Sequence, residues 1–386
     1  MLLSLLSTRL SRVRLVLIVS GVWRVKPVFR VSRIGFPATG LRATFTPGQV
    51  AWTEDERMNA ARIGRLIQRS NLGVVRAIES LLLSRADGPP IRMPLLAVCG
   101  APRTGSTVTY QVLSQAFDCY YISNLQNVFF RTPLAGHIIA RRVTKPYVSD
   151  YRSAGGFVAG LNGPAEAMNF WTYWCDHQLT ECTPSPSERR LRRFGRVMNA
   201  IYRRDGRPFL AGYLPHAFYV DHLLELFPTC VIVRMNREML DGAVSALRRW
   251  RVTEKENPAD QFYYGTRTRD FLGRMSKIEY VARQQFFINR RMDELEDRHP
   301  EVFFHAYYSR LCESPAAFVD ALDRFLQSRN IAIRRRTDTQ LPESLKQSTY
   351  ASDQDEDTRA VLAELDRLHA EYGPTRGVYR NASPRT

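Results

Sequence analysis

The first 53 residues contain no aspartate or glutamate. Seven arginines and one lysine there carry +8 of the formal net charge of +17, so much of the basic excess belongs to the N-terminus. Long apolar runs are also missing. The stretch from Leu15 to Val22, extended only by Trp23, falls short of the roughly 20 residues that span a bilayer. The six cysteines lack metal-ligand spacing, and Cys99 and Cys230 abut apolar segments, which favours a reduced, cytoplasmic chain over a disulfide scaffold. Repeats and long low-complexity runs are absent. What remains is a chain of 386 residues and 44% hydrophobic content, enough for one large α/β domain with terminal extensions rather than two equal domains.

Within the N-terminal stretch, Arg9, Arg12, Arg14, Arg24 and Lys26 flank the apolar run. This pattern reads first as a segment associated with an anionic membrane surface. A presequence, an uncleaved signal-anchor and a wrongly extended start are the competing readings. Asn381-Ala-Ser matches a glycosylation triplet, a weak signal in a tail followed by Pro384.

The stretch CGAPRTGSTVTYQ, residues 99 to 111, nearly spells a Walker A loop. Gly100 and Gly105 have the required spacing, but Ser106 occupies the lysine position, Thr107 follows it, and a cation appears earlier at Arg103. The apolar run Leu95 to Cys99 predicts a strand buried on both faces, and Val108, Val112, Leu113 and Ala116 predict a helix after the turn. Free N–H groups at such a junction attract an anion, although an ordinary turn rich in small residues would look similar.

A second segment, TCVIVRMNREMLDGAVSALRRW from 229 to 250, reads as strand, turn and helix. Arg237 and Ser245 straddle the junction, where a guanidinium fork and a hydroxyl could grip one phosphate. Taken alone, they would be a surface loop residue and a small helix-packing residue.

Together these segments resemble the phosphate sites of sulfotransferases that use 3′-phosphoadenosine 5′-phosphosulfate (PAPS). Pro102, Arg103, Thr104, Gly105, Ser106 and Thr107 match the family's 5′-phosphosulfate loop, and Arg237 and Ser245 match its Arg-x7-Ser 3′-phosphate site. Glu238-Met239 replaces the usual Asn-Pro after the arginine. LLELFPTCVIVR resembles the lead-in to that site, and Tyr308, Leu311 and Pro315 resemble a later helix-start motif. GGFVAGLNGPAEAMNFWTYW resembles the bacterial-type branch and puts Glu166 at the position of the proposed base. A lysine expected before the Pro-x-His stretch is missing from AGYLPHAFY, so no role is transferred there. The resemblance covers roughly residues 90 to 330.

It implies in-line transfer of a sulfuryl group from PAPS to an acceptor hydroxyl or amine, with no metal. Arg103 would neutralise the leaving phosphate, and Glu166 would take the acceptor's proton from a site beside Phe170, Trp171, Tyr173 and Trp174 that raises its pKa. His137, His177 and His216 are the alternative bases, each more ordinarily a packed or surface residue. Glu166 could instead be a first-turn carboxylate on a helix N-terminus.

A second basic cluster, ERRLRRFGRVMNAIYRRDGR, carries an apolar stripe of Leu191, Phe194, Val197, Met198 and Ile201 and reads as an amphipathic helix with a solvated arginine face. That face could attract an anionic acceptor or membrane. Nucleic acid is disfavoured because no recognisable binding fold accompanies the charge. The predicted organisation is a basic extension over 1–53, a helical lead-in over 54–90, a P-loop-type domain over 91–350, and a C-terminal helix and tail over 351–386. In the central domain a parallel sheet should carry helices on both faces, a segment from Trp250 to about Arg274 should cover the site, and the helix near Glu356 to Tyr372 should pack on the edge. The alternatives are a kinase-like phosphotransferase and a non-catalytic nucleotide- or membrane-binding protein.

Overall fold

The computed structural model describes residues 72–84, 86, 88–153, 156–256, 266–269, 275–351 and 355–378. The basic extension over 1–53 with its membrane, presequence and anchor readings, most of the lead-in, the Asn381 triplet, and 257–265 and 270–274 of the Trp250–Arg274 segment lie outside them. The described chain runs α1 (Leu72–Leu82), β1 (Leu95–Gly100), α2 (Ser106–Ala116), α3 (Asn124–Val128), α4 (Pro133–Val143), α5 (Met168–Cys175) and α6 (Glu188–Asp205). It continues through β2 (Phe209–Gly212), a 3₁₀ turn (Leu214–Phe218), α7 (Val220–Leu226), β3 (Cys230–Asn236), α8 (Met239–Glu256) and α9 (Lys277–Arg298). The last described elements are β4 (Phe303–Tyr307), α10 (Tyr308–Glu313), α11 (Pro315–Ser328) and α12 (Glu356–Tyr372). Among the described residues no helix is long and apolar enough to cross a membrane.

The four strands form one parallel sheet in the order β2-β1-β3-β4. Burial of both faces explains why β1, and β3 as far as Val233, are apolar without a break. Leu95, Ala97 and Cys99 of β1 enter the core on one face, with Phe209, Ile232, Phe194 and Trp171. Leu96 and Val98 enter a second core on the other face, with Val112 and Leu113 of α2 and Phe318 and Leu322 of α11. Helices cover both faces, as the P-loop-type architecture requires. Strands β2 and β4 have four and five residues, too few to show a periodicity in the sequence.

The arginine-rich segment forms α6 as predicted, with Phe194, Val197, Met198 and Ile201 buried. Trp250 to Glu256, the start of the expected cover, are the last turns of α8. The C-terminal helix forms over Glu356–Tyr372, and Val361, Leu365 and Leu368 of α12 pack on α8 and α9 beside Leu247, Val281 and Phe286, adding an outer helical layer. An amphipathic helix docks where an apolar surface is left uncovered, and α8 and α9 supply one.

One buried charge cluster ties the sheet to α9. Arg234 of β3, 1% exposed, meets Asp293 at 2.5 Å and Glu296 at 2.6 Å. The cluster sets the position of a helix that also braces the first phosphate-type loop.

Candidate active site

The turn between β1 and α2 occupies residues 101–105. Arg103 (φ 67°) and Gly105 (φ 90°) are both left-handed, a conformation that L residues seldom adopt. At Gly105 a Cβ would stand 2.4 Å from Cδ2 of Tyr308, so only glycine lets that ring press on the loop. Thr104 is buried, and its Oγ1 donates to the carbonyl of Ala101 at 2.7 Å. From α9, Gln285 Nε2 donates to the carbonyl of Pro102 at 2.7 Å. The turn is therefore braced from within and behind, and the first turn of α2 faces open space with its N–H groups and positive dipole end.

Arg237 follows β3 directly and closes the other side. Its Nη1 donates to the carbonyl of Arg103 at 2.8 Å and its Nη2 to that of Ser348 at 2.5 Å. The guanidinium also pairs with Asp241 and lies 4.5 Å over the Tyr308 ring. Arg103 in turn donates from Nε to Ser245 Oγ at 3.1 Å. The two motifs thus form one connected cluster.

A cleft of about 660 Å³ opens in front of it, and Arg103, Gly105, Ser106, Thr107, Arg237 and Glu166 all line it. Thr104 and Ser245 do not; they stand behind its wall, with Ser245 only 2% exposed. The remaining walls come from residues 150–153, Gly156, Leu214 and Pro215 of the 3₁₀ turn, Tyr308, and Lys346, Ser348 and Tyr350.

Glu166 precedes the left-handed Ala167 that begins α5, so it lies outside the helix and is not a first-turn carboxylate. Gly156, at φ 96°, brings the backbone against it: a Cβ there would be 3.1 Å from Glu166 Oε1 and 4.0 Å from Thr107 Oγ1. The carboxylate and the loop hydroxyl therefore converge on one glycine. Burial pushes Glu166 up from 4.5 to about 7, because a carboxylate stripped of water favours its neutral form. Its charge in turn raises Tyr110 and Tyr213, whose own burial is the larger cause.

The three histidines stand elsewhere. His137 is buried 3.3 Å from Asp205 and edge-on to Tyr120. His177 stacks on Tyr219 at 4.2 Å, and its Nε2 lies 2.9 Å from His222 Nδ1. His216 meets Trp171 edge-on at 4.3 Å, fully buried, with neither ring nitrogen bonded to protein. None of the three lines the cleft.

Two features of the site have no mark in the sequence. Asp241 holds Arg237 and also accepts from the backbone N–H groups of Tyr350 and Ala351, the latter at 3.0 Å. Arg237 lies in the turn before α8, so the four-residue spacing is not that of a pair on one helix and gave no local signal. The other feature is the segment 345–351. Leu345 N donates to the carbonyl of Cys312 at 2.8 Å and Ser348 N to the Tyr308 hydroxyl at 3.2 Å, bringing Lys346 to the cleft. More than 100 residues separate Ser348 from Arg237, and no local pattern announces the contact.

A profile of the Sulfotransferase family matches residues 94–329. Solved structures similar to the chain include the sulfotransferase STF9 of Mycobacterium avium, at 17% identity and TM-score 0.44, covering 83% of this chain and 78% of that one. The sulfotransferase STF1 of Mycobacterium tuberculosis gives 12% and 0.43, covering 82% and 85%. The sulfotransferase domain of a Synechococcus olefin synthase gives 13% and 0.31, covering 63% and 77%. No curated protein matches the sequence.

Proposed function

The chain belongs to the sulfotransferase family, and from that premise we propose that it transfers a sulfuryl group from PAPS to an acceptor hydroxyl or amine. The observation that carries this reading is the convergence of Glu166, Arg103, Thr107 and Arg237 on one cleft. The residues suit such a donor. A helix N-terminus and two hydroxyls offer hydrogen bonds to a phosphosulfate, and the half-buried Arg237 offers a cation and its remaining N–H donors to a 3′-phosphate.

PAPS supplies a sulfuryl group activated by its bond to phosphate. Attack by the acceptor oxygen or nitrogen forms a bond to sulfur while the bond from sulfur to the bridging oxygen breaks, leaving its electron pair on the phosphate. Arg103 stabilises that developing charge from the loop. Glu166, poised near neutrality, takes the acceptor's proton. Ser245 Oγ accepts from Arg103 and keeps its own O–H to donate to the 3′-phosphate, so the serine can serve both partners at once. Asp241, already paired to Arg237, keeps that guanidinium oriented and moderates its charge.

Thermal protection tests the reading. Adenosine 3′,5′-bisphosphate should raise the melting temperature without magnesium, and ATP should do so poorly, because only the former carries a 3′-phosphate. Arg237→Ala should weaken the bisphosphate about tenfold or more, the loss of a charge-assisted pair, while barely affecting adenosine 5′-phosphate. Equal losses for the two ligands would remove Arg237 from the 3′ site. Equal protection by magnesium-ATP would favour a kinase-like phosphotransferase.

A further inference from the structure

Apart from that cleft, a second cavity of about 230 Å³ lies where α1, α5 and the start of α6 meet. Arg76, Arg189, Arg190 and Arg193 share its lining with Tyr173 and Trp174, and no carboxylate lines it. Among the described residues only Arg193 of the four has an acidic partner, Glu79 at 3.4 Å. That carboxylate is buried, with one oxygen on Arg193 and the other accepting from the backbone of Ala135 at 3.1 Å, and it pairs with none of the other three. Glu188, the nearest acidic residue in α6, pairs with Arg192 at 3.0 Å.

Tyr173 organises the cations. Its hydroxyl accepts from Arg76 at 3.3 Å, and the guanidinium groups of Arg190 and Arg131 lie 5.2 Å and 5.4 Å from its ring centroid. Arg131 Nε is buried with no acceptor among the described residues. Ser187, which begins α6 and also lines the cavity, makes no side-chain cap bond. Guanidinium groups held this close repel one another unless an anion joins them. Their forked N–H donors fit an oxyanion with several acceptor oxygens, and an aromatic wall beside them fits a ring.

We propose that this cavity is a second ligand site, taking a phosphate or sulfate monoester carried on a ring, with the oxyanion among the arginines and the ring against Tyr173. It is separate from the cleft. Glu166 precedes one end of α5 and Trp174 lies near the other, roughly 9 Å along the helix. The proposal therefore stands or falls independently of the donor assignment.

The test is calorimetric titration of the full chain with phenyl phosphate, inorganic phosphate and phenol. Phenyl phosphate should bind more tightly than inorganic phosphate, and phenol should not bind. The double variant Arg76→Ala/Arg189→Ala, which removes two exposed side chains, should weaken phenyl phosphate at least tenfold, whereas Arg237→Ala in the cleft should leave it unchanged. Tyr173→Leu should bring phenyl phosphate down to the affinity of inorganic phosphate without altering the latter. Retention on phosphatidylcholine vesicles only when they contain phosphatidic acid, lost in the double variant, would assign the oxyanion to a lipid headgroup. Binding of the soluble ester without retention would assign it to a free metabolite. Unchanged affinity in both the double variant and Tyr173→Leu, or a loss confined to Arg237→Ala, overturns the proposal.

Discussion

The raised pKa of Glu166 has a consequence for stability that requires no knowledge of the acceptor. Between pH 4.5 and about 7 the folded protein keeps a proton that the unfolded chain has released. Stability contributed at this site therefore falls as pH rises through that window and stays lower above it. At about 1.4 kcal/mol per pH unit the full displacement corresponds to roughly 3 kcal/mol. The carboxylate opens onto the cleft, so solvent screening reduces the expected effect to about 1–2 kcal/mol. Glutamine has nearly the same shape and no charge. Glu166→Gln should thus be more stable than the parent by about 1–2 kcal/mol at pH 8, with the gain shrinking towards zero as pH falls to 4.5. Urea unfolding at several pH values reads this as a shift in midpoint at constant slope. The same change should lower turnover by roughly a hundred to ten thousandfold, because the proton acceptor is gone. A stability difference independent of pH, or a loss at pH 8, would refute the buried-carboxylate argument. Near-normal turnover would refute the base assignment separately.

Two further outcomes rest on packing. Gly105→Ala should destabilise the protein by about 1–3 kcal/mol and weaken adenosine 3′,5′-bisphosphate, because the added methyl group meets the Tyr308 ring in a left-handed turn; an unchanged melting temperature would contradict this. His216 is fully buried, and burial lowers it to about 3, so the unfolded chain binds its proton first and stability falls with decreasing pH between about 6.5 and 3. His216→Phe should flatten that decline by up to about 1.4 kcal/mol per pH unit, measured by unfolding at pH 6.5, 5.5 and 4.5; an identical decline would mean that water or movement already accommodates the charge.

Much of the site was legible because its parts are local. Leu95 to Thr107 carries strand, turn and helix in consecutive residues, and the anion-attracting geometry follows from that order alone. Arg237 and Ser245 stood out only through the Arg-x7-Ser resemblance, and of the two only Arg237 lines the cleft, whereas the stripe on α6 was legible through its helical period. The short strands β2 and β4 were not legible, because four or five residues cannot separate strand from buried helix. The contact of Arg103 with Ser245 was equally hidden. The two motifs they belong to match opposite ends of the donor, yet Arg103 Nε and Ser245 Oγ lie 3.1 Å apart across 142 residues.

By itself the sequence determined the fold class, the turn that departs from Walker A, and the presence of a carboxylate after Gly163-Pro164, since each depends on neighbouring residues and backbone preferences. Only the tertiary structure decided which candidates meet. It put Glu166 on the cleft and the three histidines off it, docked the C-terminal helix on α8 and α9, and brought 345–351 against Arg237 and Asp241. Those choices depend on which apolar surfaces cover one another, and they bring together residues a hundred or more positions apart. The raised pKa of Glu166 follows from the same cause, because desolvation belongs to the packed surroundings of a side chain and not to its place in the sequence.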